Sequence, residues 1–204
     1  MRTVHGKCFK ALLRAQARYL IALRECITQK PKVGEYMFNM SPESVSMLCS
    51  LSESDWAEYV NSLNFWVLAT RKDFSDSCLF EYWVKHLNTD EDIGVLINNR
   101  LPLSIKDNEK ISLPVDFYKN QASLFEVVLR ALFLSPSFSQ GLLLLTPSVL
   151  NEVEANYFDF NTSHYYDSVP PLFLFNENIP LESFFDLSGN GISCVEHSLF
   201  SLSA

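Results

Sequence analysis

The feature that most constrains this 204-residue chain is a self-similarity at a shift of 105 residues, found without a gap. Gln16-Ala17 falls on Gln121-Ala122, Pro31 on Pro136, Pro42 on Pro147 and Phe80 on Phe185. Between them Arg14 meets Lys119, Leu20 meets Phe125, Ser41 meets Thr146, Val45 meets Leu150 and Leu48 meets Val153. Prolines in register carry physical weight, because each fixes φ, removes a backbone donor and so marks an element boundary. Together with the matching apolar positions they point to a tandem repeat of one supersecondary unit. Identities are few, so the competing reading is coincidence. On the repeat reading the chain divides into a first helical repeat at 1–100, a linker at 101–114, and a second, acidic and shortened repeat at 115–204.

Within the first repeat, Phe9, Leu12, Leu13, Leu20, Leu23 and Ile27 recur at helical spacing and predict a helix over about 5–28, closed by Pro31. Ser41-Pro42 opens the next helix, with the serine as N-cap and the proline at the first helical position. Ser52 opens another, running through Trp56 and Tyr59. FWVLAT at 65–70 is too short for a helix and rich enough for a strand, and the shift places it on PPLFLF at 170–175. Further helices are predicted over about 75–87 and 90–100, the second opened by Thr89 and Asp92 as a near capping box. LPLSIKDNEKISLP is polar, bounded by proline and aperiodic, which makes it the linker. The expected fold class is mostly α, with short β segments near 65–70 and 171–175. Phe65 and Val67 from one run, Leu172 and Phe173 from the other, are expected to lie side by side or pack together at the interface between the repeats, because an isolated strand edge is a liability.

Composition removes several classes. A 48% hydrophobic content excludes a disordered chain. The longest charge-free stretch, Ala131–Asn151, is interrupted by Pro136, Gly141 and Pro147 and does not read as a membrane span. The opening residues MRTVHGKCFKALLRAQARYL interleave bases with apolar residues, so no secretory signal is expected. Five cysteines, widely spaced and never as C-x-x-C, argue for reduced, packed thiols in a cytoplasmic protein and against a disulfide frame or zinc site. Nucleophile elbows, phosphate-binding loops and dinucleotide fingerprints are all missing from the sequence. Asp159, His164 and Asp167 are the nearest thing to a cluster, and they read better as a capped helix start than as a metal or acid–base site. The chain is expected to be non-enzymatic, with no metal and no cofactor.

Charge is distributed unevenly. Residues 1–105 hold 12 bases and 12 acids, while 106–204 hold 4 bases and 12 acids. From Arg2 to Lys32 there are eight bases and one acid, Glu25. Lys7, Lys10, Arg14 and Arg18 form a stripe on one helix face, suited to phosphate contact despite a net charge of -8. A solvated face, or a docking face for an acidic partner or for the chain's own acidic half, are the alternatives. Asn98, Asn99 and Arg100 cluster at the end of an amphipathic helix, where asparagine suits adenine and arginine suits guanine or phosphate. Helix C-terminal capping would place the same residue types there.

The stretches ARYLIALRECITQ and YMFNMSPESVSMLCSLSESDWAEYVNSLNFWVLATRKD are similar to the FlhD family, subunits of the FlhD–FlhC flagellar transcription activator. The matching features are the Tyr19-Leu20 helix core, the Gln29 exit, the Met37-Phe38 pair and the acidic helix start at Glu43. Leu48 and Leu51 before the Ser52 break, the apolar run Phe65–Leu68, and Arg71, Lys72 and Asp73 complete the match. IGVLINNRL at 93–101 resembles the family's last helix, where DNA-proximal residues are expected. The resemblance covers about residues 10–101, carried more by helix order and spacing than by identities. Two departures stand out: the cysteine that links two subunits in the family falls at about Leu68 here, and the family's chain ends near the point where the second copy begins. The resemblance implies two FlhD-like repeats forming a covalent pseudo-dimer in one chain, which would need no linking disulfide. It further implies a subunit of a heteromeric bacterial transcription activator. Such a subunit would work with an FlhC-like zinc-containing partner on promoter DNA, away from any membrane and with a higher-order hetero-oligomer in view. A helical protein–protein adaptor or chaperone-like protein without DNA binding is the alternative.

Overall fold

The computed structural model describes residues 4–70, 113–143 and 171–175. Six helices and two short strands are found among them: α1 (Val4–Gln29), α2 (Pro31–Phe38), α3 (Pro42–Ser50), α4 (Glu53–Ser62), β1 (Leu68–Thr70), α5 (Val115–Leu134), α6 (Pro136–Leu143) and β2 (Phe173–Phe175). The protein is therefore mostly helical. The helices expected over 75–87 and 90–100, the linker up to 112, the matches at Pro147 and Phe185, and the Asp159/His164/Asp167 cluster lie outside the described residues.

Local chemistry sets the helix ends. Pro31 forces the residue before it out of the α region, so α1 stops at Gln29 and Lys30 turns extended (φ −141°, ψ 86°). The same proline then opens α2 at its first helical position, a helix the sequence reading passed over. Val33, Gly34, Met37 and Phe38 form its buried face, and Asn39 ends it in the left-handed conformation (φ 51°). At α3 the Ser41 hydroxyl accepts from the Ser44 N–H (3.2 Å), and at α4 the Ser52 hydroxyl accepts from the Asp55 N–H (3.1 Å). Each satisfies a donor that the first helical turn leaves unpaired.

The second half holds one joint of the same geometry as that at Lys30 and Pro31. Ser135, between α5 and α6, has φ −150° and ψ 64°, close to Lys30. Its N–H donates to the Ala131 carbonyl (2.9 Å), as that of Lys30 donates to Cys26 (3.0 Å). Helix α6 spans Pro136–Leu143, and α2 spans Pro31–Phe38, each boundary displaced by 105 residues. Leu113 and Pro114, the end of the linker expected from sequence, lead into α5, with Pro114 as its N-cap. Leu113 is 4% exposed, and the Pro114 carbonyl accepts from Phe117 N–H (3.0 Å) and Tyr118 N–H (3.4 Å).

Helices α1 and α5 pack against each other and form the centre of one core to which both halves contribute. Tyr19 lies there against Phe117 (ring centroids 5.3 Å) and Phe173 (6.1 Å), and its hydroxyl donates to the Phe173 carbonyl (2.6 Å). Trp56 of α4 is 2% exposed and donates its indole N–H to the Leu20 carbonyl (3.0 Å), fixing α4 onto α1. Strands β1 and β2 pair antiparallel in the register Leu68 with Phe175, Ala69 with Leu174 and Thr70 with Phe173. The strand expected over 65–70 is thus shortened to Leu68–Thr70, because the side chain of Gln16 takes the backbone groups at Phe65 and Val67 instead.

Candidate nucleic-acid interface

The candidate site is the outer face of α1. At 100° per residue, positions 7, 10, 14 and 18 fall within an arc of about 80°. Lys7, Lys10, Arg14 and Arg18 are all exposed, while Leu12, Gln16, Leu20, Leu23 and Ile27 are buried against the core. The apolar face decides which way the helix turns, and the stripe follows as its opposite side. Among the described residues none of the four bases makes an ion pair, and the only acid of α1, Glu25, sits beyond the stripe towards the helix C-terminus. The acidic residues of the described second half do not cover it.

Helix α1 is held at three levels. Near its start, the His5 imidazole Nδ1 hydrogen-bonds the Ser135 hydroxyl, and the Phe138 ring lies against His5 (5.8 Å) and edge-on to Phe9 (5.9 Å). A Ser–His contact invites a nucleophile reading, but Ser135 is 2% exposed and closes the joint between α5 and α6, so the pair is structural. In the middle, buried Gln16 donates through Nε2 to the Phe65 carbonyl (3.0 Å) and accepts through Oε1 from the Val67 N–H (2.8 Å). Towards the C-terminus, Arg24 donates to the Leu51 carbonyl at the end of α3.

The same clamp recurs in the second half, where Gln121 Oε1 accepts from the Leu172 N–H (2.8 Å), again across 51 residues. Phe65, Val67, Leu172 and Phe173, expected from sequence as contacts between repeats, pack in or against the core and also engage through their backbones: three meet a buried glutamine and the fourth meets Tyr19. The sequence reading registered Gln16 and Gln121 only as matches in the shift. A glutamine on the apolar face of a helix is the signal that marks them, since a buried amide needs partners.

The two halves differ in charge on the corresponding face. The shift carries Lys10 to Val115, Arg14 to Lys119 and Arg18 to Ser123. Lys119 lies 3.3 Å from Asp116 in an exposed pair. Asn98, Asn99 and Arg100 lie outside the described residues, as do Cys78 and Cys194. Among the described residues no group of three His, Cys, Asp or Glu is placed to hold a metal ion, and no helix is long and apolar enough to cross a membrane. Cys26 is 2% exposed, and burial, with the Glu25 charge beside it, pushes its thiol up to about 12. That thiol is a packing group, not a nucleophile. Compared with protein-family models, curated proteins and solved structures, the chain matches none.

Proposed function

We propose that this chain is a tandem FlhD-like protein whose two repeats form a covalent pseudo-dimer. In this reading it is a non-enzymatic, cytoplasmic subunit of a heteromeric bacterial transcription activator. It binds promoter DNA together with an FlhC-like, zinc-containing partner. The observation that carries the reading is the β1–β2 ladder. A shift of 105 residues exchanges Leu68 with Phe173 and Thr70 with Phe175, and carries Ala69 onto its own partner, Leu174. A strand that pairs with its own equivalent in this register sits on a twofold axis, as at the centre of a symmetric dimer. The paired glutamine clamps and the matched α1–α2 and α5–α6 joints support the same arrangement. Leu68, where the family resemblance expects a linking cysteine, is buried in that ladder, and chain linkage supplies the local concentration that a disulfide would otherwise provide.

The test is co-expression of the full chain with the product of its adjacent gene, followed by promoter-DNA binding across a salt series. The reading expects a zinc-containing complex that shifts promoter fragments, with affinity falling as salt rises. Arg100→Ala should weaken that binding by about 1–3 kcal/mol if Arg100 reads a base. A complex with a protein partner that ignores DNA at every salt concentration would replace this reading with the adaptor.

A further inference from the structure

We propose that the exposed stripe of α1 is this chain's own contact with the phosphate backbone of double-stranded DNA, and that the corresponding face of the second half makes no such contact. The proposal deepens the DNA part of the function above, naming the surface and its one-sidedness.

Three observations carry it. The stripe is continuous: Lys7 to Arg18 spans twelve residues of an unbroken helix, about 16 Å over eleven rises of 1.5 Å. Over that length one DNA strand presents about five phosphates at 3.4 Å of axis each, so four cations on a narrow arc match a run of backbone charge. Among the described residues the four cations have no ion-pair partner, all four are exposed, and nothing acidic lies between them. The second half lacks the pattern. Val115, in the place of Lys10, is 59% exposed, Ser123 stands for Arg18, and Lys119 shares its face with Asp116. A phosphate passing that side would meet a neutral surface.

The other readings of a basic helix fit less well. An amphipathic helix binds a lipid surface by inserting its apolar side, and here that side is buried in the core against α5. A docking face for a protein normally carries an apolar centre inside a charged rim. Between these four bases the exposed residue is Ala11, with Leu13 half-buried at the edge. The surface is charge and little else, which suits sequence-independent phosphate contact and supplies no base readout.

The test uses the full chain without partner and a fluorescein-labelled 24-base-pair duplex of random sequence, with anisotropy read from 25 to 200 mM KCl. Wild type should bind in the micromolar range at the lowest salt, with a slope of log K against log salt of about −3 to −4 for four phosphate contacts. The combined variant K7Q/K10Q/R14Q/R18Q should lose most of that slope while its thermal melting stays within a few degrees, because all four positions are exposed. The control K119Q/R130Q on the second half should keep the wild-type slope. Wild type that fails to bind the duplex, or a stripe variant that keeps the full slope, overturns the proposal. So does a stripe variant that loses binding only to vesicles containing phosphatidylserine. The activator reading fails separately, when no zinc-containing partner co-purifies, and that result leaves the anisotropy outcome standing.

Discussion

Ala69 lies directly opposite Leu174 in the β1–β2 ladder, and the two residues are 105 positions apart, the same distance that separates Gln16 from Gln121 and Pro31 from Pro136. A two-stranded ribbon of three residues per strand is marginal by itself. Here Leu68, Thr70 and Phe173 are buried, and both lead-in segments are gripped by a buried glutamine. The ribbon is held because the two helices bind its backbone on both sides.

Gln16→Leu should therefore be costly although it adds apolar volume to a core. It removes the acceptor of the Val67 N–H and the amide donor to the Phe65 carbonyl, at about 1–3 kcal/mol for a buried group left unsatisfied. Gln121→Leu should cost about 1–3 kcal/mol or more through the Leu172 N–H. Urea unfolding of each variant checks this, and an unchanged midpoint for both would mean the clamps do not hold the ribbon.

Tyr19→Phe isolates one hydrogen bond at the junction of the halves. The ring contacts with Phe117 and Phe173 survive, while the hydrogen bond from the hydroxyl to the Phe173 carbonyl is lost. A loss of about 1–2 kcal/mol is expected by denaturant titration, and a neutral result would show that another donor replaces the hydroxyl.

Gly34 sits where α2 meets α3. A Cβ there would lie 2.6 Å from Val45 Cγ2, a contact a β-branched, buried side chain cannot relieve by rotating freely. Gly34→Ala should destabilise by about 1–3 kcal/mol through overpacking, despite alanine's better helix propensity. Adding Val45→Ala should return part of that loss, so that the double variant is more stable than the sum of the two single changes. Strict additivity in thermal melts would place the strain elsewhere.

Cys26 makes stability depend on alkaline pH. Its folded-state value of about 12 lies above the ordinary 9.0, so above pH 9 the unfolded chain releases a proton that the folded chain keeps. Unfolding then becomes easier as pH rises from about 9 to about 12, at up to about 1.4 kcal/mol per pH unit for this group. Cys26→Ala should flatten that part of the profile, measured by urea midpoints between pH 8 and 11. Peptide mapping after N-ethylmaleimide at pH 8 should leave Cys26 unmodified in the folded protein.

The elements written in short-range chemistry were legible in the sequence. Apolar periodicity predicted α1 nearly to its ends, Ser41 and Ser52 were readable as caps, and the same periodicity that buries Leu12, Leu20 and Leu23 dictated that Lys7, Lys10, Arg14 and Arg18 face outward. Helix α2 was passed over because Pro31 signals both the end of one helix and the start of the next, and only the packing of Val33, Met37 and Phe38 selects the second meaning. The tertiary structure decided the rest: which three residues of 65–70 become a strand, the register that sets Ala69 against Leu174, the contact of His5 with Ser135, and the work of Gln16 and Gln121. Each of these joins groups from about 50 to 130 positions apart in the chain. Partners at such separations leave no local pattern, because what selects them is the free energy of satisfying buried polar groups once the helices have closed around them.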